Sequence, residues 1–419
     1  MNVPKLRFPE FTEEWEQKSF YEVFDILQNN TFSRDQLNNE NGIVRNIHYG
    51  DVLIKYGDYI DCQKEKLPFI NLENNLTKYV ENSYVRDGDI IIADTAEDYT
   101  AGKVTEICNV QNFKILSGLH TFLCRSKFEF ASKFLGYKMN SGSYHSQIAP
   151  LVAGTKVYSI NRKAIGETSI SYPSLSEQQK IADFLSNVDS IITTETKILN
   201  ALQKKKKALM QKLFTQQHRF KSDDGTDFPA WEEKKLGDIA TFSKGNGYSK
   251  SDLVATGTPV ILYGRLYTKY ETSISEVDTF VKIKKKSVIS LGSEIIVPAS
   301  GETAEDISRA SVVKQAGIVL GGDLNIIKVD VNKYVPEFIA LCISNGEPKK
   351  RMAKLAQGKS VVHLHNSDLE QLNFAIPCKE EQQKIADCLS SMDSLIQKQQ
   401  KVITTWQQRK KALLQQMFI

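Results

Sequence analysis

At 419 residues, with 41% hydrophobic and 25% charged side chains, the chain can bury two full-sized cores beneath an ordinary polar surface. A formal net charge of only +4 excludes whole-chain basicity as the sign of a polyanionic partner, so a nucleic-acid face must come from local clustering. None of the six cysteines falls in a C-x-x-C pair, and no run of about 18 apolar residues exists, which excludes a zinc knuckle, a dithiol redox motif and a membrane-spanning helix.

The opening MNVPKLRFPEFTEEWE lacks the apolar centre of a secretory signal, so a cytoplasmic location is expected. Further on, Asp89 to Ala93 reads as a short buried strand introduced by the turn residue Gly88, and Thr95-Ala96-Glu97-Asp98 as a turn. Phe130 to Met139 reads as a short helix. It is followed by a glycine-led basic loop, GTKVYSINR, from Gly154 to Arg162. After Pro173 the period becomes helical, with Ser174 or Ser176 as N-cap and Glu177 in the first turn.

The first long helix carries a seam in unbroken 4-3 alternation: Ile181, Leu185, Val188, Ile192, Glu195, Leu199, Leu202, Lys206, Leu209, Leu213. The second half repeats these elements in order: a strand at Glu294 to Val297 behind Gly292, a second T-A-E-D at Thr303 to Asp306, and a helix at Tyr334 to Ile343. Then come the loop GKSVVHLHN from Gly358 to Asn366 and another long helix after Pro377. Its seam runs Ile385, Leu389, Met392, Ile396, Gln399, Ile403, Trp406, Lys410, Leu413, Met417.

These parallels are a duplication. EQQKIAD occurs at Glu177 to Asp183 and at Glu381 to Asp387, and across 177–214 and 381–418 the residues match at 20 of 38 positions without gaps. The offset of 204 also pairs Phe134 with Phe338 and Gly154 with Gly358; the opening Phe8-Pro9 and Trp15-Glu16 recur as Phe228-Pro229 and Trp231-Glu232. By contrast, 30–80 and 244–285 share little. A common frame with two divergent inserts suits two halves doing one job on different targets.

Each seam is ~55–60 Å long at about 1.5 Å per residue, more than one small domain can cover, and the economical partner for each helix is the other. If they run antiparallel, Glu195 could meet Lys410 and Gln399 could meet Lys206; the plainer alternative leaves these polar positions exposed.

The duplicated unit, its P-x-x-x-E-Q-Q-K-I-A start, its K-K-A-L-hydrophobic-Q tail and its split FP-x-W-E opening resemble the specificity subunit of type I restriction-modification enzymes over essentially the whole chain. The resemblance implies an α+β fold in which two pseudo-symmetric α/β target recognition domains are separated by a pair of long antiparallel coiled-coil helices. It places the recognition domains at 1–173 and 217–376 and the spacer helices at 174–216 and 377–419. Each domain would read one part of a split site in double-stranded DNA, and the helices would dock the methylation and restriction subunits. A recognition subunit serving a simpler fused enzyme, or a coiled-coil scaffold that binds no DNA, are the alternatives.

Candidate DNA contacts are Lys156, Tyr158, Arg162 and Lys163 in the first basic loop, Lys359, His363 and His365 in its twin, and the cluster Lys349, Lys350, Arg351. Ordinary exposed loops are the plain alternative, as a solvated face is for Lys204 to Lys207 and Arg409 to Lys411 at the helix ends. AKLAQGKS at Ala353 to Ser360 lacks the first glycine of a phosphate loop, and His363-x-His365 has no companion ligand. No catalytic residues, metal or cofactor are therefore expected.

Overall fold

The structure is a computed structural model that describes residues 3–154, 156–355 and 361–419. Its residues divide into two compact units, Met1–Thr196 with Val402–Ile419, and Lys197–Lys401.

In the first unit a five-stranded mixed sheet has the order Phe24–Leu27, Thr121–Ser126, Ile90–Ala93, Val104–Cys108, Tyr59–Asp61, antiparallel except for its last pair. The run Ile90-Ile91-Ile92-Ala93 is wholly buried because the sheet is covered on both faces. Successive side chains go to opposite sides: Ile90 and Ile92 join one core with Phe122 and Phe134, whereas Ile91 and Ala93 join another with Ile107 and Leu123.

The second unit has the same sheet in the same order: Ala240–Lys244, Leu324–Val329, Ile295–Pro298, Ser311–Val313, Ser273–Ile274. Ile295 and Val297 face one core, Ile296 the other.

The divergent inserts conceal a second shared sheet. In the first unit it has the order Ile115–Ser117, Arg45–Ile47, Phe69–Ile70, Leu37–Asn38. In the second, Ala316–Leu320, Thr258–Ile261, Phe280–Val281 and Leu253–Val254 pair in the same order and the same senses. One edge strand, Val288–Leu291, is added beside Ala316–Leu320. At the matching edge of the first unit stands a single bridge, Tyr84 to Leu116.

A short antiparallel pair closes each unit, Glu16–Ser19 with Ser169–Tyr172 and Glu232–Lys235 with Asn373–Ile376. The long helices span Leu175–Phe214 and Lys379–Gln416. The short helices begin later than the sequence pattern suggests, at Phe134 and Pro336. In the first, Lys133 takes a left-handed conformation (φ 74°), which no helix can continue through.

Candidate nucleic-acid interface and the repeated motif

Each letter of EQQKIAD has a structural task, and the task is the same in both units. The buried carboxylate of Glu177 takes two hydrogen bonds from the Arg7 guanidinium, both at 2.8 Å; that of Glu381 takes two from Arg219, at 3.1 and 2.6 Å. Such forked charge-assisted bonds fix orientation as well as energy. The Gln178 amide donates to the Pro173 carbonyl at 2.8 Å and accepts from the Ala131 backbone N–H at 3.1 Å; Gln382 does so with Pro377 at 2.9 Å and Val335 at 2.9 Å.

Gln179 and Gln383 bond Asp183 and Asp387 one turn along. Lys180 pairs with Glu10 and Lys384 with Asp223. Ile181 with Ala182, and Ile385 with Ala386, enter the domain cores. The motif is a clamp that fastens the first turns of a long helix to the sheet domain ahead of it.

The seams follow the 4-3 alternation. From Leu185 to Leu213 and from Leu389 to Met417, every seam position is buried or half-buried, while most residues between them are exposed. In the first unit, Ile181 and Leu185 share a core with Met417 and Phe418, with Leu413 packed against it, so the two helix segments run antiparallel. In the second, Leu213 joins Ile385 and Leu389, with Leu209 packed alongside, in the same sense.

The lysines in the seam meet aspartates. Lys206 pairs with Asp393, and Lys410 lies 2.5 Å from Asp189 and 2.6 Å from Asp58. Glu195 and Gln399, offered above as partners for these lysines, are half-buried. Asp189 and Asp393 are displaced from the seam by one helical position, where a short side chain reaches the ammonium of a long one, while Asp58 reaches Lys410 from the insert. Burial disfavours the Lys410 ammonium, but Asp58 and Asp189 outweigh it and hold its pKa above the ordinary value.

At one end of each main sheet, loops from both the common frame and the insert are laced by equivalent backbone hydrogen bonds. In the first unit Asp94 donates to the His120 carbonyl at 3.1 Å, Ile160 to Asp94 at 2.8 Å, Asn30 to Ser117 at 2.8 Å and Gly118 to Ile47 at 2.9 Å. The second unit repeats the pattern with Ala299 to Asp323 at 2.8 Å, Leu364 to Ala299 at 3.0 Å, Asn246 to Leu320 at 3.2 Å and Gly321 to Ile261 at 3.0 Å. A rigid sheet thus presents a set of loops whose side chains differ between units, the usual arrangement of a recognition surface.

Of the sequence candidates, Tyr158 lies in this belt: Tyr158–Ser159 pairs with Thr95–Ala96, and its ring lies 4.5 Å from that of Tyr99, itself exposed. The TAED turn and the basic loop, 60 residues apart in sequence, are therefore neighbours. Val362–His363 pairs with Ser300–Gly301 in the second unit, and His363 Nδ1 lies 3.2 Å from Ser300 Oγ. His365 is exposed and caps the helix Asn366–Glu370. Lys156 is exposed, and exposed Arg162 and Lys163 open the helix Arg162–Gly166.

Gly154 serves its own turn, since a Cβ there would collide with the Val157 carbonyl, and its φ is 144°. Lys349, Lys350 and Arg351 lie on the helix Gly346–Leu355, where Lys349 is 3.8 Å from Glu305 and Lys350 is 2.7 Å from Glu347. Lys359, and most of the AKLAQGKS stretch, fall outside the described residues.

The belt also gathers residues that the sequence pattern did not single out. Arg34 bonds Asp51 at 2.8 and 3.1 Å and lies 3.4 Å from His48 Nδ1, which accepts from the Gly50 N–H. His120 is 3.3 Å from Asp94, and its ring meets Tyr49 edge-on. Burial, then the adjacent Arg34 charge, pushes the His48 imidazole down to about 4, so it is neutral at physiological pH. Arg34, His48, Tyr49 and Asp51 lie in the unrepeated insert, which a repeat search cannot reach, while Asp94 and His120 occupy positions of the common frame where the second unit has Ala299 and Asp323.

Among the described residues, no three His, Cys, Asp or Glu side chains gather as metal ligands. Burial pushes the Cys62 and Cys108 thiols up to about 12, which keeps them protonated. No helix among the described residues is long and apolar enough to cross a membrane.

A family model described as the type I restriction modification DNA specificity domain matches residues 12–204 and again 230–405. Similar proteins include the type I restriction enzyme MjaVIII specificity subunit of Methanocaldococcus jannaschii, 23% identical over 86% of this chain and 90% of its own length. A putative MjaX specificity subunit of the same organism is 24% identical over 99% of this chain and 95% of its own. Among solved structures, the type I restriction-modification S subunit from M. genitalium superposes with a TM-score of 0.59 at 15% identity, covering 100% of this chain and 99% of that one. A chain from a study of assembly and conformational transition in the type I R-M system gives 0.53 at 15% identity, over 96% of each.

Proposed function

The chain belongs to the type I restriction-modification DNA specificity family, and on that footing we propose that it reads a bipartite, asymmetric site in double-stranded DNA, one half-site per unit. It docks the methylation and restriction subunits of a DNA-cleaving, adenine-methylating complex and supplies no catalytic group itself. The long helices Leu175–Phe214 and Lys379–Gln416 set the length of the unread gap between half-sites. With a rise of about 1.5 Å per residue they match a gap of one to two DNA turns of roughly 34–36 Å.

The observation that carries this reading is the pair of loop belts. Both units have one backbone frame and one lacing of hydrogen bonds, yet at equivalent exposed positions the first presents Arg34 and His120 where the second presents Lys250 and Asp323. Equal frames with unequal donors and acceptors suit the reading of two different base sequences, because each base pair shows its own donor and acceptor pattern in the major groove.

Mapping methylated adenines in host DNA with and without the gene tests the proposal. A split, asymmetric methylated motif that disappears with the gene supports it. An unchanged methylation pattern, with the partner subunits still produced, overturns it.

A further inference from the structure

The lysine turn at the end of the added strand in the second unit stands outside every motif discussed so far. Between Phe280–Val281 and Val288–Leu291 the chain reads Lys282-Ile283-Lys284-Lys285-Lys286-Ser287, with every residue from Lys282 to Lys286 exposed. The first insert, 30–80, has no two consecutive lysines.

Three observations distinguish this turn from an ordinary solvated loop. Its backbone is pinned: the Tyr248 hydroxyl accepts from the Lys284 N–H at 2.7 Å and donates to the Lys282 carbonyl at 3.3 Å, and the Ser287 N–H closes the turn onto the Lys284 carbonyl at 3.0 Å. Only one of its four lysines is spoken for, Lys284 with Asp252 at 2.6 Å; among the described residues Lys282, Lys285 and Lys286 form no ion pair. Finally, the turn is joined to the loop belt. The Asn246 amide donates to the Lys286 carbonyl at 2.9 Å, and one strand end away the Asn366 amide donates to the Ser243 carbonyl at 3.1 Å.

We propose that Lys282, Lys285 and Lys286 contact backbone phosphates of the DNA flanking the half-site read by the second unit, an anchor that the first unit lacks. The inference rests on the DNA-reading role above. Unpaired ammonium groups on a fixed backbone suit a chain of phosphates, where each contact releases a counterion and carries no sequence information. Protection of the Val288–Leu291 edge by charge is the plain alternative for lysines here. It predicts no effect on DNA binding.

The test is binding of the full chain to a mixed-sequence DNA duplex, followed by fluorescence anisotropy across a salt series. The variants are Lys282→Gln/Lys285→Gln/Lys286→Gln and, as a control of equal charge change, Lys55→Gln/Lys64→Gln/Lys66→Gln in the first insert. The first variant is expected to lower the slope of log affinity against log salt by about 2 to 3, at about 0.9 per phosphate. Between about 50 and 200 mM salt, the wild type then loses roughly 40-fold more affinity than the variant. The control is expected to keep the wild-type slope, as is the triple Lys→Arg variant.

An unchanged slope in the Lys282/Lys285/Lys286 variant, or an equal fall in the control, overturns the anchor. Should the triple glutamine variant fail to fold, Lys285→Gln alone is expected to lower the slope by about 0.9. A wild type that shows no salt-dependent DNA binding overturns instead the role on which the inference rests.

Discussion

Lys410 holds Asp189 at 2.5 Å, and the residues 204 positions earlier and later, Lys206 and Asp393, hold each other in the same way. The duplicated pair places one ionic lock in each unit, at an equivalent step of the helix seam. Asp189 also accepts a hydrogen bond from the Tyr137 hydroxyl at 2.6 Å, which ties the lock to the sheet domain. Such a lock specifies register more than it adds stability, since desolvating the charges offsets much of their attraction.

Removal of one partner is a different matter. Lys410→Ala leaves Asp58 and Asp189 facing each other without a cation in a sheltered place, where the two lie 12% and 21% exposed. The expected cost is about 3 kcal/mol, read as a lower midpoint in chemical denaturation of the full chain. Lys410→Ala with Asp58→Asn and Asp189→Asn should recover most of it. A single variant within about 0.5 kcal/mol of wild type would show that the lock is not sheltered.

The clamp of the repeated motif predicts a pattern of loss. Gln178→Ala leaves the Ala131 N–H and the Pro173 carbonyl without their partner inside the protein, at about 1–3 kcal/mol. Gln382→Ala should cost the same in the second unit. Gln178→Glu should be no better than alanine at neutral pH, because a carboxylate cannot donate to Pro173. Hydrogen exchange would localise the loss to the first turns of the helix Leu175–Phe214, and protection there equal to wild type would contradict the clamp.

His48 makes the first unit sensitive to acid. Its folded pKa is depressed from 6.5 to about 4, so the stability it contributes is present above pH 6.5 and is lost as the pH falls from 6.5 to 4. The proton would also occupy Nδ1, the acceptor for the Gly50 N–H, and set a second cation beside Arg34. The loss is about 2–3 kcal/mol at most. In His48→Asn, whose amide oxygen can still accept from Gly50, the fall between pH 6.5 and 4 should shrink by that amount. A parallel fall in both proteins would remove His48 as the cause.

The frame of this fold was legible in the sequence because its constraints recur. Two copies of a 4-3 seam, of a clamp and of a glycine-punctuated strand identify one another, and Ile90 to Ala93 reads as a buried strand from four apolar residues in a row. What failed to show were contacts set by distant segments. The seam lysines choose Asp189 and Asp393 by helix geometry, not by seam spacing, and Asp58 comes from an insert the repeat search discards.

The two inserts share a sheet order that no residue identity records, because paired strands need only alternating apolar character. The run Lys284-Lys285-Lys286 was open to a charge-pattern reading, yet its joining to the loop belt depends on Asn246 and Tyr248, about 40 residues away.

The division of labour between the units is the central claim, and it is tested most directly by exchange of an insert. Residues 30–165 are replaced by the equivalent segment of a relative with a different methylated motif, and the methylated sequence is then mapped in cells that supply the partner subunits. The account predicts that one half of the motif changes to that of the relative, while the other half and the gap stay as they were. A change in both halves, or in neither, from a folded and active complex would contradict it.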